Sequence, residues 1–94
     1  MMDPNAFQQI VGEWAKETFP NANFSTIMGH LIEEVNELDD ALQRPEDPLS
    51  RESNVNAAME EVADIYLILL HISHRLNRSI DAAAKEKFEI VRTQ

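Results

Sequence analysis

From Val62 to Ile72 apolar residues point in nearly every direction around a helical axis: Val62, Ile65, Tyr66, Leu67, Ile68, Leu69, Leu70 and Ile72. A helix apolar all the way round is stable in water only when other elements surround it. The segment is also too short for a bilayer, since its longest uninterrupted apolar run is Ile65 to Leu70 and a membrane helix needs roughly 20 apolar residues. The chain is therefore expected to wrap the remaining elements around this segment, as in the central helix of a bundle.

The rest of the sequence supplies helices for that purpose. Asp3-Pro4 offers a capping residue followed by proline at the first helical position, and a first helix ends before Pro20. Phe7, Ile10, Val11 and Trp14 stand at i, i+3, i+4, i+7, so they are the expected inward face. Ser25 is read as the N-cap of a second helix to about Gln43, with Ile27, Leu31, Val35, Leu38 and Leu42 as its stripe. Pro45 and Pro48 end it and open a polar loop to about Asn54. A third helix is expected from about Val55 to Leu76. A fourth, capped by Ser79, runs to about Val91 with Ile80, Ala83, Ala84, Phe88 and Val91 inward. Only two glycines occur, and no hairpin dipeptide or long alternating run argues for strands. The reading is all-α: one domain over residues 1–94, a four-helix bundle protomer.

A chain of this length buries only about 60–65% of its unfolded surface. Three further helices, two of them short, do not cover every side of the central one while leaving a cleft. An uncovered strip is a patch that soluble monomers rarely tolerate, so a homo-oligomer is expected, a dimer or a tetramer.

Charge narrows the chemistry. Eight Lys and Arg stand against seventeen Asp and Glu, a formal charge of −9. Nucleic-acid binding takes most of its affinity from basic side chains on phosphates, so nucleic acid is not an expected partner. No membrane association is expected, the N-terminus shows no secretory pattern, and a cytoplasmic location follows as the default. Absence of cysteine excludes disulfides, thiolate metal sites and a cysteine nucleophile.

The acids are concentrated. Glu33, Glu34, Glu37, Asp39, Asp40, Glu60, Glu61 and Asp64 fall in two short segments. Glu34 and Glu37 are i, i+3 neighbours, and Glu33 and Glu37 are i, i+4 neighbours. At roughly 100° per residue, Glu34 lies roughly 60° and Glu37 roughly 120° from the centre of the second helix's apolar stripe. Glu61 and Asp64 pair in the same way on the third helix, and the next turn on that side carries Ile65, Ile68 and Ile72. Carboxylates beside apolar neighbours are costly unless they are protonated or hold a cation. Two such pairs on facing helices suit a hard divalent ion, Mg²⁺ or its substitute Mn²⁺. A solvated acidic face is the plain alternative for either pair alone.

At this point a resemblance enters. HLIEEVNEL followed by EEVADIYLILL resembles the E-E-x-x-E … E-x-x-D signature of the MazG-like family, within the all-α nucleoside triphosphate pyrophosphohydrolases. Twenty-three residues separate Glu37 from Glu61. EWAKETFP before the first motif and RLNRSIDAAAKEKFEI after the second are similar to the family's flanking segments. The resemblance implies hydrolysis of a nucleoside triphosphate, with a deoxyribonucleotide favoured, to the monophosphate and pyrophosphate. It implies Glu34, Glu37, Glu61 and Asp64 as metal ligands, with Glu33 as a further ligand or as the base that orients water. Lys87 matches a lysine of the family's last helix that contacts phosphate, with Lys85 and Arg92 nearby. Val91 departs from the asparagine that relatives often carry four residues after that lysine.

Other residues have weaker claims. His30 stands one turn before Glu33 and Glu34, placed to bind nucleotide or to orient a carboxylate, though a hydrogen-bonded structural histidine is the simpler reading. Asn21 and Asn23, in the loop between Phe19 and Phe24, are candidates to read a base edge. Trp14 and Tyr66 are assigned to the core, His71 to helix packing and His74 to the surface. Three rival enzyme and metal-protein classes fit poorly. No Glu has a His three residues on, against a di-iron carboxylate bundle; no glycine-rich phosphate loop occurs; no EF-hand loop occurs. The remaining alternative is a non-enzymatic oligomeric bundle that binds a divalent metal or a protein partner.

Overall fold

A computed structural model describes residues 3–45 and 47–94. They form four helices, α1 (Pro4–Thr18), α2 (Phe24–Leu42), α3 (Arg51–Arg75) and α4 (Ile80–Arg92), with no strand among the described residues. No helix of these is long and apolar enough to cross a membrane. Backbone contacts divide the chain into two units, Ala22–Ile68 and Met1–Asn21 with Leu69–Gln94.

Helix ends follow local chemistry. Asp3 caps α1 by accepting from Asn5 N at 2.9 Å, with Pro4 at the first helical position. Ser79 caps α4 by accepting from Ala82 N at 3.1 Å. The cap of α2 differs from the expected Ser25. Asn23 accepts from Thr26 N at 2.9 Å while Thr26 Oγ1 accepts from Asn23 N at 3.0 Å, a reciprocal capping box that starts the helix earlier. The start of α3 is also earlier than Val55. Asp47 turns the chain, with Ser50 N donating to its carbonyl at 2.9 Å, and Asn54 N already donates to Ser50 O at 2.8 Å. Arg51–Asn54 has no apolar residue, so hydrophobic periodicity cannot register that first turn.

In the unit built from both ends of the chain, α1 packs on α4. The buried face of α1 is Gln8, Val11, Gly12 and Ala15. Of the expected face only Val11 is buried; Phe7, Ile10 and Trp14 are exposed, Trp14 to 56%. The reason is size: Gly12 and Ala15 allow a close approach that large side chains forbid. A Cβ on Gly12 would overlap the ring of His74, which lies half-buried against the glycine and not on the surface as expected. Gln8 is 8% exposed and ties the α3–α4 connection to α1. Its Nε2 donates to Arg78 O at 2.7 Å and its Oε1 accepts from Ile80 N at 2.9 Å. Asn77 turns that connection with φ 57°, in the left-handed region that asparagine tolerates. On α4 no residue is buried; Ile80 is half-buried, while Ala83, Ala84, Phe88 and Val91 are exposed, contrary to the expected inward face.

In the other unit, α2 and the first part of α3 follow one another through residues 43–50, and Glu34 of α2 meets Glu61 and Asp64 of α3. Ile27, Ala41 and Ile68 are buried here. Val35 and Leu42 on α2 and Val62, Tyr66 and Leu67 on α3 are exposed, with Tyr66 at 43% and outside the core assigned to it.

Candidate metal centre

The acidic motifs meet in the α2–α3 unit. Glu34 comes from α2, Glu61 and Asp64 from α3, and one carboxylate oxygen of each lies within 4.8 Å of the others. The i, i+3 spacing puts Glu61 and Asp64 on one side of α3, and Glu34 is the α2 acid nearest the apolar stripe, so the three meet where the two helices approach. Glu34 and Glu61 are half-buried, and Asp64 is exposed at the rim.

Two oxygens here have no hydrogen-bond partner although they are buried, Glu34 Oε2 and Glu61 Oε2. Buried polar atoms without partners are uncommon and costly. The second oxygen of Glu34 is engaged: its Oε1 lies 3.3 Å from His30 Nε2, one turn earlier on α2. Glu37 is exposed but close to Glu61. Hydrogen bonding and charge from Glu61 raise the Glu37 pKa, with partial desolvation adding to the effect. The Glu61 pKa is raised as well, first by the adjoining carboxylate of Glu34 and then by desolvation. Each of these acids is therefore harder to ionise beside its neighbours. Glu33 is exposed, outside the trio, and its charge adds to the rise at Glu37.

The donor set fits a hard divalent cation. Mg²⁺–oxygen distances of about 2.1 Å put opposite ligands about 4.2 Å apart, so a 4.8 Å cluster closes on such an ion with small side-chain shifts. Three carboxylates leave further positions for water and phosphate oxygens, the usual pattern for Mg²⁺.

The other candidate residues are placed differently. Lys85 donates to Asp81 Oδ2 at 2.7 Å, which raises its pKa, and Arg92 donates to Glu89 Oε2 at 2.8 Å. Lys87 is exposed on the same helix, and all three belong to the α1–α4 unit. The side-chain oxygen of Asn23 is committed to capping α2. Asn21 is exposed in the turn before it. Trp14 and Phe19 pack edge to face with ring centroids 5.5 Å apart, and both rings are largely exposed. His71 is half-buried and accepts from Arg75 Nε at 3.1 Å, as its packing role anticipates. Burial, then the charges of Arg75 and His74, lower its pKa.

No family model, curated protein or solved structure matches the chain.

Proposed function

We propose that the chain is a MazG-like, Mg²⁺-dependent nucleoside triphosphate pyrophosphohydrolase, favouring deoxyribonucleotides. The observation that carries this reading is the carboxylate trio Glu34, Glu61 and Asp64, gathered within 4.8 Å, in which Glu34 and Glu61 each keep one buried oxygen without a hydrogen-bond partner. Such a site is costly when empty of positive charge, and a divalent cation removes the cost.

In this reading Glu34, Glu61 and Asp64 hold the cation, and Glu37, against Glu61, completes the negative shell. Mg²⁺ held there would neutralise triphosphate oxygens and polarise the α-phosphorus toward attack by water. Glu33, exposed beside the cluster, orients the attacking water and takes its proton. An oxygen–phosphorus bond forms at the α-phosphorus, the bridge to the β-phosphorus breaks, and pyrophosphate leaves with the electron pair. Lys87, Lys85 and Arg92 are assigned to phosphate contact, and Asn21 and Asn23 to base contact. A strongly acidic protein attracts a strongly acidic substrate only through such an ion.

The same reading includes a homo-oligomer. Met28, Ile32 and Val35 on α2, and Val55, Met59, Val62 and Tyr66 on α3, are exposed at i, i+4, i+7 spacings. These are two apolar stripes on one helical pair, a surface suited to an isologous contact with a second copy.

The test is a pyrophosphate-release screen over the ribo- and deoxyribonucleoside triphosphates, with and without Mg²⁺. Mg²⁺-dependent release that Asp64→Asn abolishes is the expected result. Turnover of Asp64→Asn near the wild-type rate refutes the site assignment.

A further inference from the structure

We propose that His30 is a positioning residue for the cation site, acting on Glu34 and not on the nucleotide; this rests on the reading of Glu34, Glu61 and Asp64 as cation ligands. The terminal torsion of a glutamate is broad, so packing alone leaves the plane of its carboxylate free to turn. In Glu34 one contact restrains it: His30 Nε2 lies 3.3 Å from Oε1, while Oε2 is buried without a hydrogen-bond partner and the carboxylate belongs to the cluster with Glu61 and Asp64.

The two side chains differ in a way that suits this division of labour. His30 is 62% exposed and Glu34 13% exposed. The imidazole therefore holds the carboxylate from the solvent side without entering the cluster. Both residues stand on one helix at i, i+4, so their separation is fixed by the backbone. Nε2 is within reach of Oε1, and in the imidazolium form the two make an ion pair. An outer hydrogen bond that fixes a ligating carboxylate is worth about 10–100-fold in metal affinity. Solvent competes for a donor this exposed, which places His30 at the lower end, about tenfold.

The experiment is a Mn²⁺ titration of the full chain without nucleotide, followed by the electron paramagnetic resonance signal of free Mn²⁺. Wild type, His30→Ala, His30→Gln and Asp64→Asn are compared. A glutamine amide can reach Oε1 with an N–H, whereas alanine cannot. His30→Ala is expected to bind Mn²⁺ about tenfold more weakly, His30→Gln to recover most of that loss, and Asp64→Asn to bind far more weakly than either. In turnover assays, saturating metal should restore His30→Ala, with the KM for triphosphate unchanged. Equal Mn²⁺ affinity of His30→Ala and wild type overturns the proposal, as does a glutamine variant no better than alanine. A raised triphosphate KM that metal does not correct returns His30 to nucleotide contact. If Asp64→Asn binds Mn²⁺ as wild type does, or wild type binds none, the cation site itself fails and His30 loses its role with it.

Discussion

Gly12→Ala separates two opposing effects that the α1–α3 contact holds in balance. Alanine favours a helix interior over glycine by about 1 kcal/mol, and Gly12 lies inside α1. The added methyl group, however, overlaps three atoms of the His74 ring, including Cγ, the ring atom nearest its own backbone. A far side-chain end can swing aside; an atom so near the backbone moves only if the whole imidazole changes rotamer. Overpacking of this kind costs about 1–3 kcal/mol. The net expectation is a loss of about 1 kcal/mol, or about 4–8 °C in Tm for a chain of this size. The cycle with His74→Ala isolates the cause. Once the ring is removed, Gly12→Ala should stabilise by up to about 1 kcal/mol, so the two substitutions couple by about 2 kcal/mol. Urea denaturation at one fixed protein concentration measures all four proteins, so that any association of copies affects them alike. A stabilising Gly12→Ala in the wild-type background, or a coupling near zero, refutes the close approach of α1 to His74.

Gln8→Leu keeps the volume but leaves Arg78 C=O and Ile80 N–H without their partner, at an expected cost of about 2–4 kcal/mol in the same denaturation assay. The pKa values of Glu37 and Glu61 are raised in the folded protein, so the stability they contribute is full below the ordinary value of 4.5 and declines as pH rises through the folded values. Glu61→Gln should therefore gain on metal-free wild type in Tm as pH goes from 4.5 to 7.5; the opposite trend from the lowered pKa of His71 is common to both proteins and cancels. A difference independent of pH would contradict the raised pKa of Glu61. Val35→Glu or Met59→Glu, placed in the exposed stripes, should shift sedimentation toward monomer at low micromolar concentration, and a wild type already monomeric there removes the interface.

Helix existence was legible because each helix carries a local signal: Asp3-Pro4, Ser79, the prolines at 20, 45 and 48, and apolar periodicity. The cap of α2 falls on Asn23 and not on Ser25 because asparagine caps as well as serine, and Thr26 closes the box in place of the usual Glu or Gln. Faces were harder. Periodicity ranks Phe7, Ile10 and Trp14 above Gly12 and Ala15, but close helix packing selects the small residues, and nothing local to α1 announces the ring of His74. On α4 the expected face is largely exposed, because periodicity marks which side is apolar and not whether another element covers it. The meeting of Glu34 with Glu61 and Asp64 was readable because helical spacing and apolar neighbours confine each pair to one side of its helix. The contact of His30 with Glu34 was open to reading as an i, i+4 pair. Its consequence, one engaged oxygen and one buried free oxygen, is visible only in three dimensions.

The most direct test of the central claim is isotopic. Triphosphate hydrolysed by the purified protein with Mg²⁺ in ¹⁸O-water should give a monophosphate carrying one solvent oxygen and an unlabelled pyrophosphate, as attack at the α-phosphorus requires. Label in pyrophosphate, or release of orthophosphate in its place, would contradict the proposed chemistry of the Glu34, Glu61 and Asp64 site.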